Sequence, residues 1–160
     1  MRSSIGRALN ESRLYERDYY AWALEQAFAL RERHVELLDF EHLAKEVEDL
    51  GKRERRELRS RLMRILAHLL KSQFQAARRS HSWEATLFVQ RTEIEALLED
   101  SPTLVREVPQ MIERAYARAQ RVAGKEMRID RAEGVRLFPV KCPWSTEQIL
   151  DVEFDPKLPK

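Results

Sequence analysis

Turn residues are scarce in this 160-residue chain, which holds only 4 Gly and 6 Pro. That excludes the frequent tight reversals of a many-stranded sheet. Cysteine is nearly absent as well. Cys142 stands alone, so no intrachain disulfide can form and a reducing compartment is expected. No window approaches the roughly 18 uncharged apolar residues of a membrane span. The opening MRSSIGRALNESR lacks the apolar run of a signal peptide. A cytoplasmic protein without membrane contact is the expectation. Gly6, Gly51, Gly124 and Gly134 are too dispersed for a phosphate-cradling loop. Internal repeats and low-complexity segments are also missing. With a formal net charge of +2, the molecule as a whole carries no strong field of one sign.

What remains is rich in helix formers. The chain is 43% hydrophobic and 35% charged, too apolar for disorder, and its length suits one domain. Residues 1–14 and 156–160 read as loosely held ends around a single domain at 15–155. Asp18 to Arg33 reads as a helix with Tyr20, Leu24 and Phe28 on one face and Trp22 across from them. Asp39 is a natural N-cap for a long element. Its stripe starts at Phe40, Leu43, Val47 and Leu50 and resumes at Leu58, Leu62, Ile65, Leu66, Leu69 and Leu70, with a weak point at Gly51. Ser82 is placed as cap of a third helix carrying Leu87 and Ile94. Ser101 and Pro102 open a fourth, which Pro109 kinks or splits. Residues 124–141 read as loop. Ser145 and Gln148 have capping-box spacing ahead of a short last helix, with Trp144 and Ile149 as its staple. The expected fold is all-α: an antiparallel up-and-down bundle of four main helices plus a short C-terminal helix. Leu62, Leu66, Leu69, Leu87 and Ile94 should share its interior.

Ten cations stand between Lys52 and Arg79 against two acids, Glu54 and Glu57. Arg53, Arg64, Lys71 and Arg78 fall on one side of a helical wheel and could follow a nucleic-acid backbone. The flanks argue otherwise. Residues 36–49 carry a net of −5 and residues 84–107 a net of −4, nearly cancelling the +8 between them. No recognition-helix or sheet signature accompanies the run. An ion-paired, solvated face is the preferred account.

Other constellations are thinner. Di-iron bundles use Glu-x-x-His pairs, and only Asp39-x-x-His42 comes close, where Asp39 is better explained as a cap. His42 and Glu46, one turn apart, are weak candidates for a mononuclear metal site. Cys142 beside Lys141 could gain thiolate character, yet no base is assigned to it and packing is the simpler role. Trp22, Trp83 and Trp144 fit helix packing and a staple as well as a pocket. Gln90 lies within the Leu87–Ile94 stripe and needs partners if buried, Arg91 among them.

Several strings together are familiar. LYERDYYAW, LDFEHLAKEVEDLG followed by LRSRLMRILAHLLK, SWEATLFVQRTEIEALLEDSPTL and FPVKCPWSTEQILD resemble the bacterial family called domain of unknown function 29, over about residues 12–155. The resemblance implies an all-α fold in a small bacterial protein. It transfers no activity, cofactor or catalytic residue. The leading functional reading is therefore a non-enzymatic bundle that binds a protein partner, a second copy included. A nucleic-acid-associated protein using Arg53, Arg64, Lys71 and Arg78 comes second, and a metal protein or enzyme third.

Overall fold

A computed structural model describes residues 14–75, 77 and 80–156. Residues 1–13 and 157–160, most of the two segments expected to be loosely held, lie outside the described residues. Every regular element among those described is helical, with no strand. Four long helices form: α1 (Tyr19–Arg31), α2 (Phe40–Phe74), α3 (His81–Asp100) and α4 (Val108–Met127). Two short ones follow, α5 (Arg131–Leu137) and α6 (Thr146–Leu150), and 3-10 turns occupy Val35–Leu37 and Pro102–Glu107. The chain divides into two compact units, Met1–Arg53 and Glu54–Lys160.

In the first unit, Asp18 caps α1 by accepting from the Ala21 backbone N–H at 3.0 Å. The helix ends two residues short of the expected Arg33, because Arg33 turns left-handed at φ 59°. His34 N–H then bonds back to the Ala29 carbonyl at 2.9 Å, a Schellman closure made without glycine. Asp39 caps α2 as expected, taking the His42 N–H at 3.2 Å. Helix α2 passes through Gly51 unbroken. A glycine inside a helix costs about 1 kcal/mol, less than burial of any one leucine beyond it contributes (about 1.5–3 kcal/mol).

The second unit has its own core. Leu58, Leu62, Ile65, Leu66, Leu69 and Leu70 of α2 are fully buried, and Leu87 and Ile94 of α3 join the same apolar cluster. From α4 come Ile112, Tyr116 and Ala119. Two local expectations need correction, and of the two effects expected at Pro109 the split occurs. Helix α3 starts at His81 with Ser80 at its cap position, two residues earlier than a Ser82 cap would allow. Pro109 splits the fourth helix: residues 102–107 wind as a 3-10 turn and α4 begins at Val108. Residues 124–141 are largely helical rather than loop. Arg128, left-handed at φ 62°, closes α4, and Asp130 caps α5 through the Glu133 N–H at 2.8 Å. The Ser145–Gln148 capping box forms in both directions, and Trp144 and Ile149 are both buried in the core.

Candidate functional site

A polar and aromatic wedge joins α1 to the start of α2. Trp22, Gln26 and Ala29 form the buried face of α1. The Gln26 side-chain oxygen accepts the Asp39 N–H at 2.7 Å, and Trp22 Nε1 donates to Asp39 Oδ2 at 3.3 Å. That same oxygen lies 2.7 Å from His42 Nδ1. An imidazole held by a carboxylate on Nδ1 leaves Nε2 as its free nitrogen. Tyr15 stacks on this ring with centroids 3.9 Å apart. Its hydroxyl receives Lys45 Nζ at 2.7 Å and donates to Glu46, which also accepts from Tyr19 at 2.8 Å. The two tyrosine hydroxyls hold the Glu46 carboxyl below its usual range. Tyr15 in turn pushes the Lys45 ammonium up, and Glu46 raises Tyr19. Each side chain here is occupied by a neighbour, so the wedge is built to hold two helices together.

The outward faces of this unit are uncovered. On α1, Tyr20 is 74% exposed, with Leu24 and Phe28 also open. On α2, Phe40 is 61%, Val47 67% and Leu50 58% exposed. The α2 stripe is thus exposed at Phe40, Val47 and Leu50, half-buried at Leu43 and buried from Leu58 onward. Isolated exposed leucines are ordinary, but rows of aromatics and branched residues at helical spacing are not.

In the second unit one charge is placed inside. Lys71 is 5% exposed; its ammonium binds Glu126 near the end of α4 and lies 4.7 Å from the Trp83 ring centroid. His68, one turn earlier, meets the Trp83 ring edge-on. Burial first, then the Lys71 charge, lowers its pKa to about 4 against a partial offset from Glu126, so it is neutral at physiological pH. Arg91, also buried, crosses to the C-terminal segment. Its Nε donates to the Ile149 carbonyl at 2.9 Å and Nη1 to that of Val152 at 3.4 Å, while Nη2 has no partner. Arg91 also lines a cleft of about 500 Å³ with Ile94, Leu98, Leu150 and three acids, Glu95, Glu99 and Asp151.

A family model described as a domain of unknown function, DUF29, matches residues 14–155. The chain belongs to the DUF29 family. Neither the curated proteins nor the solved structures hold a match to it.

Three cations in the basic run of this DUF29 chain are paired with acids. Lys52 pairs with Glu48 and Asp49, Arg55 with Glu107, and Arg61 with Glu57 and Glu93. Arg53 and Arg64 are exposed. Lys71 was expected to be solvated or paired with carboxylates of 36–49 or 84–107; it is instead buried and paired with Glu126. Arg78 lies outside the described residues. His42 and Glu46 stand in the same wedge but serve Asp39 and the two tyrosines. No group of three or more metal-ligating side chains occurs among the described residues. Burial pushes the Cys142 thiol up, opposing the thiolate that Lys141 would favour. Gln90 is buried as its position in the stripe requires, but Arg61 serves it at 3.4 Å while Arg91 is engaged elsewhere. No helix among the described residues is long and apolar enough to cross a membrane.

Sequence reasoning passed over the Tyr15–Glu46–Lys45 chain and the Lys71–Glu126–Trp83 group. For the second the helical wheel pointed the other way, since Lys71 falls opposite the leucine stripe. For the first there was no signal, since Tyr15 lies 30 residues from Lys45 and 31 from Glu46.

Proposed function

We propose that this DUF29 chain is a cytoplasmic bacterial protein-interaction module and not an enzyme. The observation that carries the reading is the pair of uncovered apolar rows in the first unit, Tyr20–Leu24–Phe28 on α1 and Phe40–Val47–Leu50 on α2. Water contact over such rows is unfavourable by about 25 cal/mol per Å², and a protein partner with an apolar docking face relieves it. The polar wedge beneath supports this role. It fixes the angle between the two helices with side chains that are already saturated, leaving no open acid–base pair to do chemistry. The second reading, nucleic-acid association, rests on Arg53 and Arg64, which are exposed. The pairing of Lys52, Arg55 and Arg61 with neighbouring acids weighs against it.

A photo-crosslinking residue introduced at Leu24, and separately at Val47, in cells tests the proposal. Discrete protein adducts, identified by mass spectrometry and missing when the residue is moved to a polar position such as Glu25, are expected. Absence of adducts at both sites would refute it. Submicromolar, steeply salt-dependent binding of DNA or RNA by the purified chain would then put the nucleic-acid reading in its place.

A further inference from the structure

Independently of the rows in the first unit, we propose that the cleft beside α3 in the second unit binds a free amino acid with a basic side chain, arginine or lysine. Its volume, about 500 Å³, lies within the roughly 300–1,000 Å³ of small-molecule sites. Ile94 and Leu98 supply the apolar part of the α3 wall, joined by Leu150 of α6. Arg91, Glu95 and Glu99 follow one another at single helical turns. The wall therefore changes from cationic to anionic over about 12 Å at 1.5 Å per residue.

The anionic end has charge to spare. Glu95 and Glu99 are exposed, and among the described residues neither meets a cation. Like charges one turn apart repel, and a guanidinium or ammonium beside both relieves this. Acidic pairs are common on helices; the other end of the cleft is what makes this one a site. Arg91 is 3% exposed. Its Nε and Nη1 are occupied by the Ile149 and Val152 carbonyls, and its Nη2 is buried with no acceptor among the described residues. An interior donor left unmet is unfavourable, and a carboxylate entering the cleft supplies the acceptor. An apolar occupant leaves it unmet, and a plain cation is repelled by it. Asp151 lines the cleft too and is close enough to favour the Arg91 charge. It stands where the α-ammonium of a ligand held by that arginine falls. A carboxylate, an α-ammonium, an alkyl stem and a distal cation thus each have a counterpart. Neutral and acidic amino acids lack the distal cation and gain nothing from the two glutamates. Because those glutamates are solvated, their attraction is screened and the affinity is modest.

NMR titration of the isotope-labelled full chain with L-arginine and L-lysine, up to about 10 mM, tests this. Saturable shifts confined to the amides of residues 91–99 and 149–152 are expected, weakened by raised salt. The Glu95→Gln, Glu99→Gln double variant changes only exposed side chains, and an otherwise unchanged spectrum confirms its fold. It should bind at least about tenfold more weakly. Agmatine, which is arginine without its carboxylate, and Nα-acetyl-lysine amide, which stands for a lysine within a protein, should each lose at least about tenfold as well. No saturable shift from either amino acid overturns the inference, as does a double variant that binds like the parent. Equal binding of agmatine or of the lysine amide also overturns it, since the cleft would then be an acidic face for polyamines or basic protein segments. None of these results bears on the crosslinking at Leu24 and Val47.

Discussion

Replacing Glu126 by Gln tests whether the charge buried in the second unit is held by its partner. Gln keeps the shape and an acceptor oxygen but removes the negative charge facing the Lys71 ammonium, which is left with the Trp83 ring and little water. Taking one partner from a fully buried pair costs about 3–5 kcal/mol. The Glu126 side chain is 49% exposed, so water enters part of the vacated field, and Gln still accepts a hydrogen bond, at roughly 1 kcal/mol less than a charged acceptor. The expected loss is about 2 kcal/mol by urea denaturation at pH 7. Lys71→Met with Glu126→Gln removes the stranded charge while keeping the stem in place, and the double variant should recover at least about 1 kcal/mol of coupling. In Lys71→Met, the His68 pKa, followed by NMR, should rise from about 4. It should stay below its ordinary 6.5, because burial is the larger cause. A Glu126→Gln loss under about 0.5 kcal/mol, the range of ordinary surface sites, with no coupling, would show that the pair contributes nothing.

Leu66→Ala or Leu69→Ala, each in a fully buried position, should cost about 2–5 kcal/mol in the same melts. Ser145→Ala breaks the bond to the Gln148 N–H and should cost about 1 kcal/mol, read as faster hydrogen exchange across residues 146–150. Arg128→Gly relieves a left-handed side chain at the end of α4 and should raise stability by about 0.5–1 kcal/mol in urea melts. His68 binds its proton more weakly folded than unfolded, so between about pH 6.5 and 4 the unfolded chain holds more protons. Stability is then full above 6.5 and falls by up to about 3 kcal/mol on acidification through that window. In urea melts at a series of pH values, His68→Gln should flatten the fall.

Much of the second unit was legible because its signals are local and repeat. The leucines of α2 recur at helical spacing over four turns, and the Ser145 box lies within four residues. The misjudged parts depend on other things. Helix α4 runs past Gly124 to an end made by an arginine in a glycine's usual conformation, and nothing in the residue type announces that. Phe40, Val47 and Leu50 continue the pattern of Leu58 and Leu62 at the same spacing, yet one set is exposed and the other buried. Periodicity shows which side of a helix is apolar; whether anything lies against it depends on the rest of the chain. The same limit hid the Lys71–Glu126 pair, whose members are 55 residues apart. The Asp39-x-x-His42 spacing was visible, but whether it served a metal or a cap depended on Trp22 and Gln26 arriving from α1.

The Arg91 bridge to the C-terminal segment has a consequence for how freely this part of the sequence can drift. Its guanidinium reads the carbonyls of Ile149 and Val152, groups that any residue at those positions supplies. At position 152, an exposed site, the identity of the side chain is therefore invisible to the arginine that fixes the backbone there. Constraint is concentrated in one codon of α3 and relaxed in the segment it restrains. Exchanges at Val152 should pass unnoticed, while a lysine at position 91, lacking the planar fork, could reach one carbonyl but not both in the same geometry.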